Sequence, residues 1–328
     1  MKSFCKVLFF VLFLWASTLF SQNYERVDSR VKSYPRFHSV TDLGYRIMND
    51  FPDETHRVRA AFIWLTHNIA YGKPGNLARK HYRKIKYSSI EERDEQIYDF
   101  VYSKIDISFK ARTGVCIDYS LMLNALLEQF KLPSKVISGI AKTDVKDIGG
   151  ENLFKKHSWN AVRIEGEWKL MDATWAAGYV EKRSRKFVRS YLDHYFFTAP
   201  SAFVLSHFPS KQEWQLTDVP VNMASFLGSP IFMPDYFKKG IVLSPKTKGT
   251  LITKAQGTNF LYFDALPANH VMHYRLNDSN EFIRMGFKRL NEKAFKSKIR
   301  VKKNLKKELN YLTVYHDYQP ILNFIIEK

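Results

Sequence analysis

Cys116 closes the run Arg112-Thr113-Gly114-Val115 and opens an apolar series of Tyr119, Leu123, Leu126, Leu127 and Phe130. The series recurs at three- and four-residue steps, which predicts a helix starting near the cysteine and stopped by Pro133. Thr113 reads as its N-cap, so Cys116 falls in the first helical turn. There the helix dipole and the unpaired amide hydrogens favour a thiolate. The same amides can donate to an oxyanion. The competing reading is a buried, inert thiol, and the helix start alone leaves both open.

His157 follows 41 residues later, at the head of the run Ser158-Trp159-Asn160-Ala161-Val162. A nucleophilic cysteine needs a base that holds the thiolate and later protonates the leaving group. Asp172 follows after another 15 residues, with Glu165-Gly166 roughly midway. Two strands folded about that turn, His157–Ile164 and Trp168–Thr174, bring Asp172 near His157. The carboxylate can then fix the imidazole tautomer and stabilise the imidazolium. A plain turn acid is the alternative for Asp172.

These segments resemble a known set. Thr113-Gly114-Val115-Cys116, His157-Ser158-Trp159-Asn160-Ala161-Val162 and Trp168-Lys169-Leu170-Met171-Asp172-Ala173-Thr174-Trp175 are similar to the motifs of the transglutaminase-like superfamily. Within it they are most similar to the kyphoscoliosis-peptidase-like group. Phe62-Ile63-Trp64-Leu65, His194 to Thr198, His207-Phe208-Pro209 and Glu213 to Leu216 extend the likeness over roughly residues 40 to 240. The resemblance implies an α+β fold with a papain-like core. It further implies that Cys116 attacks an amide carbonyl, that His157 serves as base then acid, and that Asp172 orients His157. The acyl group then passes to water, as in a peptidase or amidase, or to an amine, as in a crosslinking transglutaminase. A non-catalytic module that retains the fold would carry the same residues. Trp159 and Trp175 flank the site and are expected to line a substrate groove.

The elements that must position these groups can be read in outline. Val58, Ala61, Phe62, Leu65 and Ile69 mark an amphipathic helix that Asp53 or Thr55 could cap. Residues 76–112 are polar with weak periodicity and read as a long surface excursion, helical only near Glu91–Phe100. Val136–Ile140 reads as a strand and 144–154 as a loop. Beyond Pro230 and Pro234, short strands are expected at 241–243, 251–253, 260–263, 271–274, 282–287, 297–301, 311–314 and 322–326. They suggest an antiparallel β-sandwich. The expected organisation is a leader at 1–21, a cysteine-hydrolase core at 22–225, a connector at 226–240 and a β-sandwich at 241–328.

Composition sets outer limits. The chain has 328 residues and a net charge of +19. Lys2 and Lys6 precede an apolar run, Val7–Phe20, too short for an ordinary spanning helix and suited to an export signal. Export to a periplasmic or extracellular space is therefore expected. Without that leader Cys116 has no cysteine to pair with, since Cys5 lies inside it. The positive charge is compatible with association with an anionic surface, and a solvated basic face is the favoured reading. No nucleic-acid motif accompanies it, so nucleic acid is not an expected partner. The expected partner is a protein or peptide substrate, including peptides of the cell envelope. There is no calcium loop of EF-hand spacing and no phosphate-cradling glycine loop. His270 and His273 would face opposite sides of a strand. No metal and no cofactor is expected.

Overall fold

The computed structural model describes residues 24–72, 87–150, 156–181, 183–253, 258–301 and 308–327. The expected leader lies outside them. The chain forms two compact units, one of residues up to Ile137 with Ser158–Thr198, the other of Ser138–His157 with Ala199–Lys328.

The first unit is mainly helical. Residues 24–32 form α1. Helix α2 (Val40–Asp50) starts where Ser39 accepts the Asp42 amide, and α3 (Glu54–Asn68) where Asp53 accepts the His56 amide at 2.8 Å. Every residue of α3 from Val58 to Thr66 is buried. That includes Arg59, whose guanidinium pairs with Asp28 of α1 at 2.7 Å and with Asp193. A buried cation is tolerable only when paired in this way.

Strand β1 (Ala70–Tyr71) leaves α3, and the chain returns through α4 (Ile90–Ala111) to β2 (Thr113–Gly114), parallel to β1. The described part of the expected excursion is thus a helix of 22 residues. Its signals were local. Ser89 accepts the Glu92 amide, while the Glu92 carboxylate takes the amide and hydroxyl of Ser88. Only Ile105, Ser108 and Phe109 are buried, which is why the apolar period looked weak. Helix α5 (Cys116–Gln129) follows, and its buried face includes Tyr119, Met122, Leu123, Leu126 and Leu127. Strands β3 (Ser134–Ala141), β4 (Lys156–Ile164) and β5 (Glu167–Met171) lead to the short helix α6 (Ala173–Ala177). A hairpin of β6 (Gly178–Val180) and β7 (Phe187–Arg189) follows.

The second unit opens with α7 (Pro200–Phe203) and β8 (His207–Pro209), which pairs with the end of β3. After α8 (Met223–Gly228) come β9 (Ile231–Phe232), β10 (Val242–Leu243), β11 (Thr250–Ile252) and β12 (Thr258–Ala265). Then follow β13 (Met272–Leu276), β14 (Ile283–Arg284), β15 (Phe287–Arg289) and β16 (Phe295–Arg300). The last two strands are β17 (Asn310–His316) and β18 (Gln319–Glu327). One sheet runs β10-β12-β16-β15. The other runs β11-β18-β17-β13-β14, with β9 also on β18.

Leu261, Phe263 and Ile299 of the first sheet share a buried cluster with Leu312, Val314, Leu322 and Phe324 of the second. That is the interior of a sandwich. Two details differ from expectation. The strand read at 282–287 is two strands, one in each sheet, with buried Met285 between them. The β11–β18 pair is parallel. Residues 226–240 are also more than a connector, because β9 is a strand of the sandwich and Tyr236 is buried.

Within this unit Lys142 is 2% exposed. Its ammonium donates to the carbonyls of Phe226 at 2.6 Å and Ser229 at 2.8 Å, fastening β3 to the segment that enters β9. Burial pulls its pKa down to about 7, against the attraction of Asp147. An unfolded lysine keeps its proton to about pH 10.4. Between those values the unfolded chain holds the extra proton, so stability should rise with pH. Lys142→Met should flatten that rise and, by stranding buried carbonyls, cost about 1–3 kcal/mol at pH 7. Urea unfolding at neutral and at mildly alkaline pH measures both.

Candidate active site

Cys116 is the first residue of α5, and Val115 is the N-cap, with no side-chain cap of its own. The expected cap, Thr113, is elsewhere. Ala70 donates to the Arg112 carbonyl at 2.9 Å and Gly72 to the Gly114 carbonyl at 3.0 Å, so Thr113-Gly114 are held extended as β2. Asp118 does the capping from inside the helix, its carboxylate accepting the Val115 amide at 2.9 Å. This fold-back explains Gly114. A Cβ there would lie 2.8 Å from the Asp118 Cβ. Asp118 is buried and faces the Lys104 ammonium of α4 at 3.6 Å.

Two further bonds fix the same turn. The Tyr119 hydroxyl donates to the Ile69 carbonyl at 2.6 Å, tying α5 to the end of α3. The Asn160 amide donates to the Ser120 carbonyl at 3.0 Å, tying α5 to β4. Both donors are buried, so each bond is made away from competing water. Cys116, the one free cysteine among the described residues, stays half-buried. Its amide and that of Ile117 have no carbonyl four residues back inside the helix, so they point outward as orphan donors.

His157 is the second residue of β4 and is buried. Farther along, Asn160–Ile164 pair antiparallel with Glu167–Met171. Glu165 and Gly166 both have positive φ, 51° and 84°, as a tight hairpin turn requires. The second strand ends at Met171 rather than at Thr174. Asp172 leaves the ladder to cap α6, its Oδ1 accepting the amides of Thr174 at 2.8 Å and Trp175 at 3.1 Å. Asp172 is thus a strand-end acid that caps the helix after it. Ligand-type atoms of His157, Asp172 and His207 lie within 4.8 Å of one another.

His207 had been read only as part of the family likeness, with no role. It is 1% exposed and stacks on Phe203 at 4.0 Å between centroids. Its Nδ1 sits 2.8 Å from the Ser206 hydroxyl, and its ring centroid is 5.4 Å from that of His157. A histidine 50 residues away on a three-residue strand gives no periodic signal, so only its place beside an aromatic-rich stretch hinted at it. Two imidazoles and a carboxylate are also the group among the described residues that could hold a cation.

Tyr71 is a second residue that the spacing argument passed over. Burial raises its pKa, and the charges of Cys116, Asp172 and Asp118 raise it further. It therefore sits where the sulfur and the carboxylate are both felt. Its place follows from β1, where it pairs with Gly114 two residues before the cysteine.

The two tryptophans divide. Trp159 is 1% exposed, so it is packed inside and does not present a groove wall as expected. Trp175 is half-buried and meets Tyr195 edge-on at 5.5 Å.

Residues 41–173, which hold α2 through Asp172, match the family model of the transglutaminase-like superfamily. Over those residues the chain matches a transglutaminase-like domain. The chain is similar to kyphoscoliosis peptidase of Mus musculus, 26% identical over 238 residues, which cover 71% of this chain and 32% of that protein. It is also similar to Hillarin of Drosophila melanogaster, 26% identical over 182 residues, covering 50% of this chain and 22% of that protein. The chain thus spans about a third of the first relative's length and less of the second's. A solved structure from Cytophaga hutchinsonii, described as that of a cysteine protease, aligns over 43% of this chain and 39% of its own. It does so at 20% identity and a TM-score of 0.26, too low to bear on the fold. The α+β architecture of the transglutaminase-like domain, with a sheet-rich C-terminal region, agrees with the expectation from sequence.

The double duty of Asp172 is separable. Asp172→Asn keeps an oxygen for the Thr174 and Trp175 amides, whereas Asp172→Ala removes it. The alanine variant should be less stable than the asparagine variant by about 1 kcal/mol. Paired thermal or urea unfolding curves would show it.

Proposed function

We propose that the chain is a cysteine peptidase or amidase acting through Cys116, His157 and Asp172. One observation carries the reading. The histidine and the aspartate meet, while the cysteine occupies the first position of a helix whose opening turn is fastened on three sides. In this reading His157 takes the thiol proton, and the sulfur of Cys116 attacks the carbonyl carbon of an amide. The carbonyl oxygen gains charge beside the Cys116 and Ile117 amides, which lower the barrier by charge stabilisation. His157 then gives its proton to the departing amine, leaving a thioester. A water deprotonated by His157 attacks the thioester and releases the acid, restoring the thiol. Asp172, with Oδ1 pinned by two amides, holds the imidazole in one orientation throughout. His207 lies beside that imidazole, with ring centroids 5.4 Å apart.

The substrate on this reading is a protein or an envelope peptide, processed after export. The basic n-region and the Val7–Phe20 run support export, and the +19 charge supports attachment to an anionic surface. Protein expressed with its leader should be recovered outside the cytoplasm with an N-terminus near residue 22. An unprocessed, cytoplasmic product would overturn that part.

A thiol-directed probe tests the chemistry. Cys116 should label selectively near neutral pH, and His157→Ala should slow labelling by about 10-fold or more. Slow labelling indifferent to His157 would favour a binding module that only keeps the fold. A peptide-substrate screen with Cys116→Ala as control should show cleavage. Amine incorporation into glutamine peptides without cleavage would transfer the reading to a crosslinking enzyme.

A further inference from the structure

Helix α4 is out of character with the rest of the chain. It carries Glu91, Glu92, Asp94, Glu95, Asp99 and Asp106 against Arg93, Lys104 and Lys110, in a protein of net charge +19. Its outer face is also apolar. Tyr98 is 58% exposed, Ile97 42% and Tyr102 38%, high values for large side chains grouped on one helix. The two tyrosines lie 4.3 Å apart between ring centroids, as residues four apart on a helix can. Together with Val101 and Ile105 they form one wall of a groove of about 360 Å³. The other wall is α5, through Leu121, Asn124, Ala125 and Glu128.

The rim of this groove is acidic at both sides. Asp94 stands on the α4 side, with Arg93 at 2.7 Å, and Glu128 stands exposed on the α5 side. Hydrogen bonding to Tyr98 comes first, and burial and the nearby Glu128 charge follow, in pushing the Tyr102 pKa up to about 12. The Tyr102 phenol therefore remains neutral over any physiological range. A trough with aromatic and aliphatic walls and carboxylates along its edge suits a helix or extended segment with apolar anchors and flanking cations. An acidic partner would meet repulsion at the rim, and a small neutral ligand would leave the carboxylates unused.

We propose that the α4–α5 groove docks a basic, amphipathic polypeptide segment of a partner protein. The proposal is independent of the reaction at Cys116. It uses the opposite charge from the rest of the molecule, which makes it selective. Against a net charge of +19, the groove's carboxylates give a cationic peptide a local attraction.

The test uses the full chain and a labelled Leu/Lys amphipathic peptide of about 18 residues, five helical turns, with a Leu/Glu peptide of the same pattern as control. Fluorescence anisotropy should report saturable binding of the Leu/Lys peptide that weakens as salt is raised. The Tyr98→Ser/Tyr102→Ser double variant and Glu128→Gln should each weaken it, the double variant by about 10-fold or more. These side chains are exposed, and unchanged unfolding midpoints would confirm that the variants remain folded. Equal binding by the variants, no binding of the Leu/Lys peptide, or tighter binding of the Leu/Glu peptide would overturn the proposal. So would a dimer of the protein that the double variant dissolves, because the groove's occupant would then be a second copy.

Discussion

A cysteine at a helix start, if it is to react as proposed, faces opposing demands. Its amides must stay free to receive charge, yet a helix end with free amides tends to fray. Asp118 reconciles the two. By reaching back to the Val115 amide it caps the helix from within, and it does not use the next two amides. The bond requires the chain to pass very close to the Asp118 side chain, which only a residue without Cβ allows at position 114. Gly114 in turn is held by β1, where Tyr71 lies opposite it. The sulfur, the tyrosine beside it and the helix cap are thus consequences of one close approach. Changing the glycine would disturb all three before it touched the cysteine.

That arrangement also explains what the sequence could and could not say. The order and spacing of Cys116, His157 and Asp172 were readable, because hairpin geometry and helix periodicity act over short stretches. Thr113 was misread as the cap because capping preferences describe the residue ahead of a helix, and here a two-residue parallel ladder had already claimed it. Asp172 was placed on a strand because its neighbours alternate, whereas its bonds to Thr174 and Trp175 favour a helical turn. Helix α4 was half missed because its inner face is narrow and its outer face carries tyrosines. An apolar stripe on both sides blurs a periodic signal. His207 was out of reach of any local rule, since its position depends on how a distant strand pairs with β3.

The β-rich region follows the same division between local and distant information. Its strands were mostly found within a residue or two, because β-branched and aromatic runs between turn residues mark them. Sheet membership was not. The residues read as a single strand at 282–287 serve two sheets, and the change happens around Met285 and Gly286. Nothing in the pattern distinguishes a strand that bends from one that ends. Pairing partners decide that, and they lie on other strands, six to eleven residues away.

The buried polar residues share a logic that apolar packing cannot supply. Arg59, Asn160 and Lys142 are each nearly inaccessible, and each bonds a group far along the chain: Asp28 and Asp193, Ser120, and the carbonyls of 226 and 229. Well-packed hydrophobic residues could match them in stability, since desolvating a charge or an amide offsets much of what its bonds return. Hydrophobic contacts carry no direction, whereas a hydrogen bond fixes both a distance and an angle. On the proposed reading a sulfur and an imidazole must be held in register, and a small misplacement of reacting groups is costly. Asn160 shows the point most directly. It stands three residues from His157 on one strand, and it bonds a carbonyl one turn from Cys116 on the helix. The strand and the opening of the helix are therefore locked to each other by that bond.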